Sequence, residues 1–527
     1  MKVQPGRIKT ILPLALFVLS FGLYSYTMAP TITWQHDGYD AGDLITAAYT
    51  LGIPHPTGYP TYMLLGKGFT LLPFGDVAHR MNLLSALSAA LTVVLLYLTS
   101  TTMLGSRLAS ILASLCAALL LAASPTFWSQ ALITEVYALN CLFFAVTLFL
   151  LLQVQMRLEE QPVSPPGHPR VLHMLTLAAW IYGLSLGNHL TMALSAPLVL
   201  LQCAVICRQR ALRLTQWARV MVVFLLGLSV YLYLPLRAGS QPLLNWGNPN
   251  TLRGFAWMVS GGMYRQYVLA LPVAYWAQRL MAWVDLLRQQ FGIWGTALGL
   301  LGAWEHAKRA PQQFAILLLT FVIYSAYAMG YNTTDSYVYL LPVYFLYALW
   351  IAHGVHIALR GLTTPQNTQS RPMAVLLCVA LLAAPLGMLV VNLPRADLSN
   401  DYSAHDYGSR VFAQVPDHSV IISASDAHTF TLWYFARVVT GRDEVALIDR
   451  DLLTYDWYVA GLRQSYPWLN LSPASNSAPL SIDTFLEANM QHCALFLTDR
   501  DQELMTRYPF QKQDLLYRLV AERTPVS

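Results

Sequence analysis

Between Trp34 and Pro60 the chain reads WQHDGYDAGDLITAAYTLGIPHPTGYP, gathering Asp37, Asp40, Asp43, His36 and His55 into one short polar segment. Carboxylates and imidazoles are the side chains that move protons near neutral pH, so such a cluster offers general acid–base chemistry. Asp40 and Asp43 stand three apart and share a face if the segment is helical, with Gly42 a flexible point between them. A carboxylate at the edge of a low-dielectric cavity can be tuned into a general base. The competing reading is that these aspartates solvate a loop and cap a helix starting near Leu44. One isolated Asp favours that reading; three Asp and two His together favour chemistry. The following IPHPTGYP (53–60) is stiffened by prolines around His55. It serves equally as a rigid connector or as a site wall in which His55 donates to a phosphate or hydroxyl.

Other candidates are scattered. Glu135 lies in SQALITEVYALN, and Asn188 and His189 lie in LSLGNHLT, each at the end of an apolar run. Interfacial placement and a satisfied core histidine compete with a site role for these three. Arg237, in YLPLRAGSQPLLNWGNPNTLRGF, is followed by Arg253 and Arg265; arginine matches phosphate with a planar fork of donors, and lipid-headgroup anchoring is the alternative. Tyr331, Asn332 and Asp335, in GYNTTDSYVYLLP, form a polar turn. The six cysteines show no paired metal-ligand spacing, and Cys203 and Cys207 read as small residues on one helix face. No metal ligand set is expected, and a divalent ion bridging a phosphate is left open. No GxxxxGK[ST], GxGxxG or HExxH pattern points to a nucleotide or zincin site.

These residues must be positioned by an oily framework. Of 527 residues 56% are hydrophobic and only 11% charged, with mean hydropathy +0.45, the composition of a polytopic membrane protein. The net charge of +5 is no nucleic-acid signal. The N-terminal apolar run reads as an uncleaved signal-anchor. About eleven spans are expected, near 11–29, 81–99, 108–124, 136–153, 172–187, 189–207, 218–236, 290–304, 313–330, 338–357 and 373–393. Runs near 58–74 and 256–276 read as interfacial or re-entrant helices. With Lys2, Arg7 and Lys9 in the cytoplasm, every inside loop is basic: Arg107; Arg157 and Arg170; Arg208, Arg210, Arg213 and Arg219; Lys308 and Arg309; Arg360 and Arg371. The opposite face then carries the acidic loop at 30–80, the segment 237–289 and a region from 394 to 527. In that last region SVIISAS, EVALIDR and CALFLTD read as strands, with TFTLWYFARVV and YDWYVAGLRQSY as helices. The expected fold is an all-α polytopic membrane domain (1–393) with a small extracytoplasmic α/β domain (394–527).

The motifs DAGDLITAAYTLGIPHPTGYP and LLPFGDVAHRMNLLSAL resemble the membrane protein family related to the eukaryotic plexin-type O-mannosyltransferase, one of the GT-C glycosyltransferases. That family's loop carries an Asp-Ser-Gly-Glu core before His-Pro-Pro-Gly-Tyr-Pro; here stand Asp40-Ala41-Gly42-Asp43 and His55-Pro56-Thr57-Gly58-Tyr59-Pro60, with Glu shortened to Asp at Asp43. The resemblance runs on through TEVYALN, GLSLGNHLTM, the Arg237 segment with Asn245 and Trp246, YNTTDSYVYLLP, AHDYGSRV and TFTLWYF. The helical repeats that end the eukaryotic members are not found. The resemblance implies inverting transfer of a sugar from a polyprenyl-phosphate donor to a hydroxyl acceptor, protein Ser/Thr or a glycan. Asp40 is then the general base, Asp43 its partner, and Arg237 the holder of the leaving phosphate. His55, Tyr59, Glu135, Asn188, His189, Asn245, Trp246 and Asp335 are the remaining site residues. Asp37 and His36 match no family motif and fall back to a solvated loop. A compact chain suggests a bacterial inner membrane. The rival classes are a flippase or permease for lipid-linked sugars, which calls for charges inside spans, and a non-catalytic membrane scaffold.

Overall fold

The computed structural model describes residues 5–160, 169–209, 212–362, 371–471 and 480–520. Lys2 and Arg210 of the orientation argument, and parts of the 394–527 region, lie outside them. Eight helices among the described residues are long and apolar enough to cross a membrane, and they coincide with eight of the eleven expected spans. The other three positions are helical too. Leu108–Ala122 has 15 residues, about 22 Å of rise against a hydrocarbon core of about 30 Å. Pro169–Leu186 opens with Arg170 and His173. The run 290–304 lies within Trp276–Arg309, a 34-residue helix whose backbone breaks at Gly292 (φ 67°, ψ 174°), just where the apolar stretch begins.

The segment Ser336–Arg360 is the centre of the bundle, with 94% of its most apolar window buried. It is apolar on all sides, as a helix enclosed by others must be. Its approach to Trp276–Arg309 depends on two glycines. A Cβ on Gly302 would lie 1.8 Å from the Trp350 carbonyl oxygen, and one on Gly354 would lie 2.0 Å from that of Leu298. Small residues that let backbones touch are the usual means of packing helices in lipid.

The polar 30–80 segment is tied down from both ends. Asn82 donates to the Ala29 and Thr31 carbonyls (3.0 and 3.2 Å). Asp76 caps the helix Val77–Leu104 by accepting from the His79 amide and also accepts from the Thr31 hydroxyl. Between these anchors run two short helices, Ala41–Thr50 and Pro60–Thr70. The second lies within the expected 58–74 run, and Leu252–Val259 lies at the start of the 256–276 run.

The C-terminal region builds a five-stranded sheet from β1 (Val420–Ser423), β2 (Ala446–Asp449), β3 (Leu495–Leu497), β4 (Phe510–Gln513) and β5 (Leu516–Leu519), in the order β2-β1-β3-β5-β4. The first three are parallel, apolar and buried, as the sequence indicates. Strands β4 and β5 form an antiparallel hairpin that the sequence reading missed. FQKQ is the edge strand and LYRL lies between it and β3; both carry polar residues and lack the apolar run of the three parallel strands. Helices Asp426–Tyr434 and Asp456–Ser465 follow β1 and β2. The first of them lies directly on Ala41–Thr50. A Cβ on Gly42 would sit 2.1 Å from the Phe430 carbonyl oxygen, so Gly42 is a point of backbone contact rather than the flexible point expected. Trp34 reinforces the joint, its indole donating to the Thr431 hydroxyl (2.9 Å) and the Ala427 carbonyl (3.1 Å).

Candidate active site

Asp40 occupies the N-cap position of Ala41–Thr50, and Asp43 lies in that helix's first turn, yet neither caps it. Capping was the alternative to chemistry, and the side chains instead turn to other partners. Asp43 is fully buried. Its Oδ2 accepts from the His55 backbone amide (2.9 Å) and from His55 Nδ1 (2.7 Å), and its Oδ1 accepts from Trp246 Nε1 (3.2 Å). His55 Nε2 then faces the Tyr59 hydroxyl at 2.9 Å and Asp40 Oδ2 at 3.6 Å, while the Tyr59 hydroxyl donates to the Pro56 carbonyl (3.1 Å). One line of contacts therefore runs Trp246–Asp43–His55–Asp40.

Electrostatics separate the two aspartates. Burial opposes the His55 charge, but Asp40, the hydrogen bond to Asp43 and Glu135 outweigh it and lift the imidazole to about 9. His55 is thus an imidazolium at neutral pH, both ring N–H groups donating. Asp40 is raised to about 6, first by burial; His55 pulls it down, and Asp426, Asp43 and Asp335 push it up. The Asp40 side chain still keeps 39% of its surface open, against none for Asp43. That opening faces a cavity of about 660 Å³.

The cavity is lined by Asp37 and Asp40, by His55 and Tyr59, by Tyr137 and His189, by Tyr264 and Tyr267, by Tyr331, Asp335 and Tyr339, and by Asp426. Tyr59 stacks on His189 (5.9 Å, 6°), and Tyr137 and Tyr339 meet the same ring edge-on or tilted at 5.4 and 5.8 Å. Asp37, set aside as a loop residue in the sequence reading, lies at this wall and accepts from the Tyr337 hydroxyl. Asp426 and Tyr264 were missed altogether. Asp426 opens a helix after a strand, which in sequence looks like any first-turn acid.

Of the remaining candidates, His189 belongs to this cavity and the others lie around it. Glu135 is buried and is not among the residues lining the cavity, and burial pushes its carboxyl well above the usual range. Asn188 is fully buried and donates to the Val136 carbonyl (3.1 Å). His189 Nδ1 also accepts from the Thr191 amide, so one ring is both cap and wall. Asn245 and Trp246 come alongside the first loop through an Ile53–Asn245 bridge and line a second cavity. Arg237 is not among the residues lining the Asp40 cavity. Its Nε donates to the Leu51 carbonyl (2.6 Å) at the C-terminal end of Ala41–Thr50, where Leu51 is left-handed (φ 54°) and an open carbonyl needs a donor. Of the arginines in the 237–289 segment, Arg265 and Arg279 do touch lining residues: Arg265 donates to the Ser260 hydroxyl, and Arg279 donates to the Thr333 carbonyl and to the Ser336 hydroxyl. Among the described residues no three His, Cys, Asp or Glu side chains are grouped so as to hold a metal ion.

The family model of the protein O-mannosyl-transferase TMEM260 N-terminal domain matches residues 40–212, and that of TMEM260-associated domain 2 matches residues 404–489. The protein O-mannosyl-transferase TMEM260 of Mus musculus is 26% identical over 486 residues, covering 86% of this chain and 66% of its own. That of Dictyostelium discoideum is 23% identical over 493 residues, covering 84% and 57%. The chain thus spans less than two thirds of the length of these relatives. Among solved structures, ArnT from Cupriavidus metallidurans bound to undecaprenyl phosphate superposes with a TM-score of 0.58 at 13% identity, covering 99% of both chains. The Archaeoglobus fulgidus oligosaccharyltransferase, in complex with Zn and sulfate, gives 0.53 at 12% identity, covering 92% of this chain and 67% of its own.

Proposed function

We propose that this chain, which is an O-mannosyl-transferase-like membrane protein of the GT-C fold, moves a hexose from a polyprenyl-phosphate donor to an acceptor hydroxyl. The observation that carries this reading is Asp40, a carboxyl raised to about 6, open to an aromatic cavity and paired with a His55 imidazolium. Such a group is mostly ionised at neutral pH yet basic enough to take a proton in the transition state. In the reaction the acceptor oxygen bonds to the anomeric carbon as the carbon–phosphate oxygen bond breaks. Asp40 takes the hydroxyl proton, and polyprenyl phosphate leaves from the opposite face, so the configuration inverts. The undecaprenyl phosphate bound to ArnT supports a lipid-phosphate-linked donor here, and the relatives named protein O-mannosyl-transferase support mannose and a protein hydroxyl.

Asp43 and Trp246 do not touch the reactants in this scheme; they fix the His55 ring, which fixes and charges the Asp40 pair. The tyrosine wall offers flat apolar faces and hydroxyls to the sugar. Arg265 at the rim, rather than Arg237, is the cation placed to receive the developing phosphate charge. We place the cavity and the 394–527 domain outside the cytoplasm of a bacterial inner membrane. Arg107, Arg309 and Arg360, from three loops assigned to the inside, all lie within electrostatic reach of His356, which supports one basic end to the bundle. The test is transfer of labelled mannose from polyprenyl-phosphate mannose to a Ser/Thr peptide by the full chain in liposomes. Loss of transfer in Asp40→Asn with donor binding intact is expected; full transfer by that variant would remove Asp40 as base.

A further inference from the structure

A second cavity, of about 360 Å³, lies between the 241–248 segment and the C-terminal region. We infer that it is a binding site for a neutral saccharide, separate from the Asp40 cavity. Its walls are rings and amides. Trp246 faces Trp457 at 5.6 Å (37°) and Trp433 at 6.1 Å (74°), so three indoles converge on one space. A pyranose ring presents a face of C–H bonds carrying partial positive charge, the complement of the negative face of an indole. Around the indoles stand Gln241, Asn245, Asn248 and Gln464. Each amide offers both donors and an acceptor, as does each sugar hydroxyl.

Charge argues for a neutral occupant. Arg437 is the one charged residue lining this cavity among the described residues. Its guanidinium is already paired with Asp443 and donates to the Tyr466 hydroxyl. Among the described residues no carboxylate lines the space to receive a cation, and no unpaired cation to receive a phosphate or a carboxylate. Two polar atoms at the site are buried without a protein partner: Asn245 Oδ1, an acceptor, and Trp457 Nε1, a donor. A buried donor and acceptor left unpaired are costly, so both call for a ligand carrying hydroxyls. The mouth is bridged by Gln464, which donates to Gln241 (3.1 Å). The volume sits at the small end of the ligand-pocket range of about 300–1,000 Å³, suited to a short saccharide rather than a folded chain.

This site does not depend on the transfer reaction proposed above. The full chain in detergent is titrated with methyl α-D-mannopyranoside and a linear mannotriose by calorimetry, with saturation-transfer NMR on the same samples. Saccharide binding is expected in the wild type, weakened about tenfold by Trp457→Ala, the scale of one lost aromatic contact. Ala460→Trp, which fills the cavity and removes no contact, gives an independent block and is expected to abolish binding. Asp40→Asn is expected to bind as the wild type does. Thermal melting checks that both cavity variants are folded. Absence of saccharide binding in the wild type overturns the inference, as does binding unchanged in Trp457→Ala and Ala460→Trp. Binding of a neutral Ser/Thr peptide, but no saccharide, lost in those variants would make this a peptide site and equally overturn it.

Discussion

If Asp40 is the base, the acid limb of the transfer rate reports its ionisation and should move in opposite directions when its two neighbours are neutralised. Removing the His55 charge takes away an attraction acting over 3.6 Å. At that distance two unit charges interact by about 5 kcal/mol at an effective dielectric of about 20. Asp40 is 39% open to the cavity, so solvent screening reduces this to about 1–2 kcal/mol, or roughly one pKa unit. In His55→Gln the midpoint should therefore rise from about 6 to about 7, the rate falling tenfold per pH unit below it. Asp426→Asn removes a negative neighbour that raises Asp40, so its midpoint should fall below 6. In Asp40→Asn the acid limb should vanish and kcat drop about 100- to 10,000-fold, the usual scale of general-base loss. The assay is initial-rate transfer between pH 5 and 8 in liposomes, with melting temperature confirming each fold. Midpoints that move together, or an unchanged limb in Asp40→Asn, would refute the electrostatic account.

Four further outcomes follow from the contacts. Trp246→Phe strips one donor from the buried Asp43 and should lower stability by about 1–3 kcal/mol, seen as a lower melting temperature, with transfer reduced as well. Gly42→Ala forces a methyl against the Phe430 carbonyl; it should cost about 1–3 kcal/mol and increase protease cutting between the bundle and the C-terminal region. Arg237→Ala should lower melting temperature with little change in donor KM, whereas Arg265→Ala should raise donor KM with melting unchanged. His55, raised from 6.5 to about 9, stabilises fully below pH 6.5 and loses that contribution as pH rises through 9. Melting temperature should fall across that window, and the fall should be absent in His55→Gln.

The first loop was legible because proline, glycine and acid at fixed spacing describe a local structure, and local structure is what sequence encodes most directly. His55 and Tyr59 fall four apart in a rigid stretch and meet each other in the fold. The three parallel strands were legible for the same reason, as short apolar runs between polar turns. The surroundings of Arg237 were not legible, because an arginine just outside a span looks the same whether it faces a phosphate or an open carbonyl. That the carbonyl belongs to Leu51 is a tertiary fact. Asp37 misled: its left-handed backbone (φ 61°) turns the chain so that a residue read as solvated lines the cavity. Asp426 could not be found, since nothing local connects a helix start in the C-terminal region to Asp40.

That distance along the chain explains why two similar aspartates have such different surroundings. Asp43 receives three hydrogen bonds, two from His55 and one from Trp246 across the cleft between the first loop and the 241–248 segment. Among the described residues Asp40 receives no such bond, and it borders three other carboxylates, at Asp43, Asp335 and Asp426. Pairs of acids whose environments diverge in this way take different tasks, one organising and one reacting. The reacting environment is composite: Asp335 comes from a turn between two spanning helices, and Asp426 from the helix that Gly42 allows onto the first loop. The Phe430 ring of that same helix stacks on His55 (6.5 Å, 10°), covering one face of the imidazolium. Docking of the C-terminal region is therefore part of what raises Asp40, and a chain in which that helix is displaced should keep its fold in the bundle while its base becomes a weaker one.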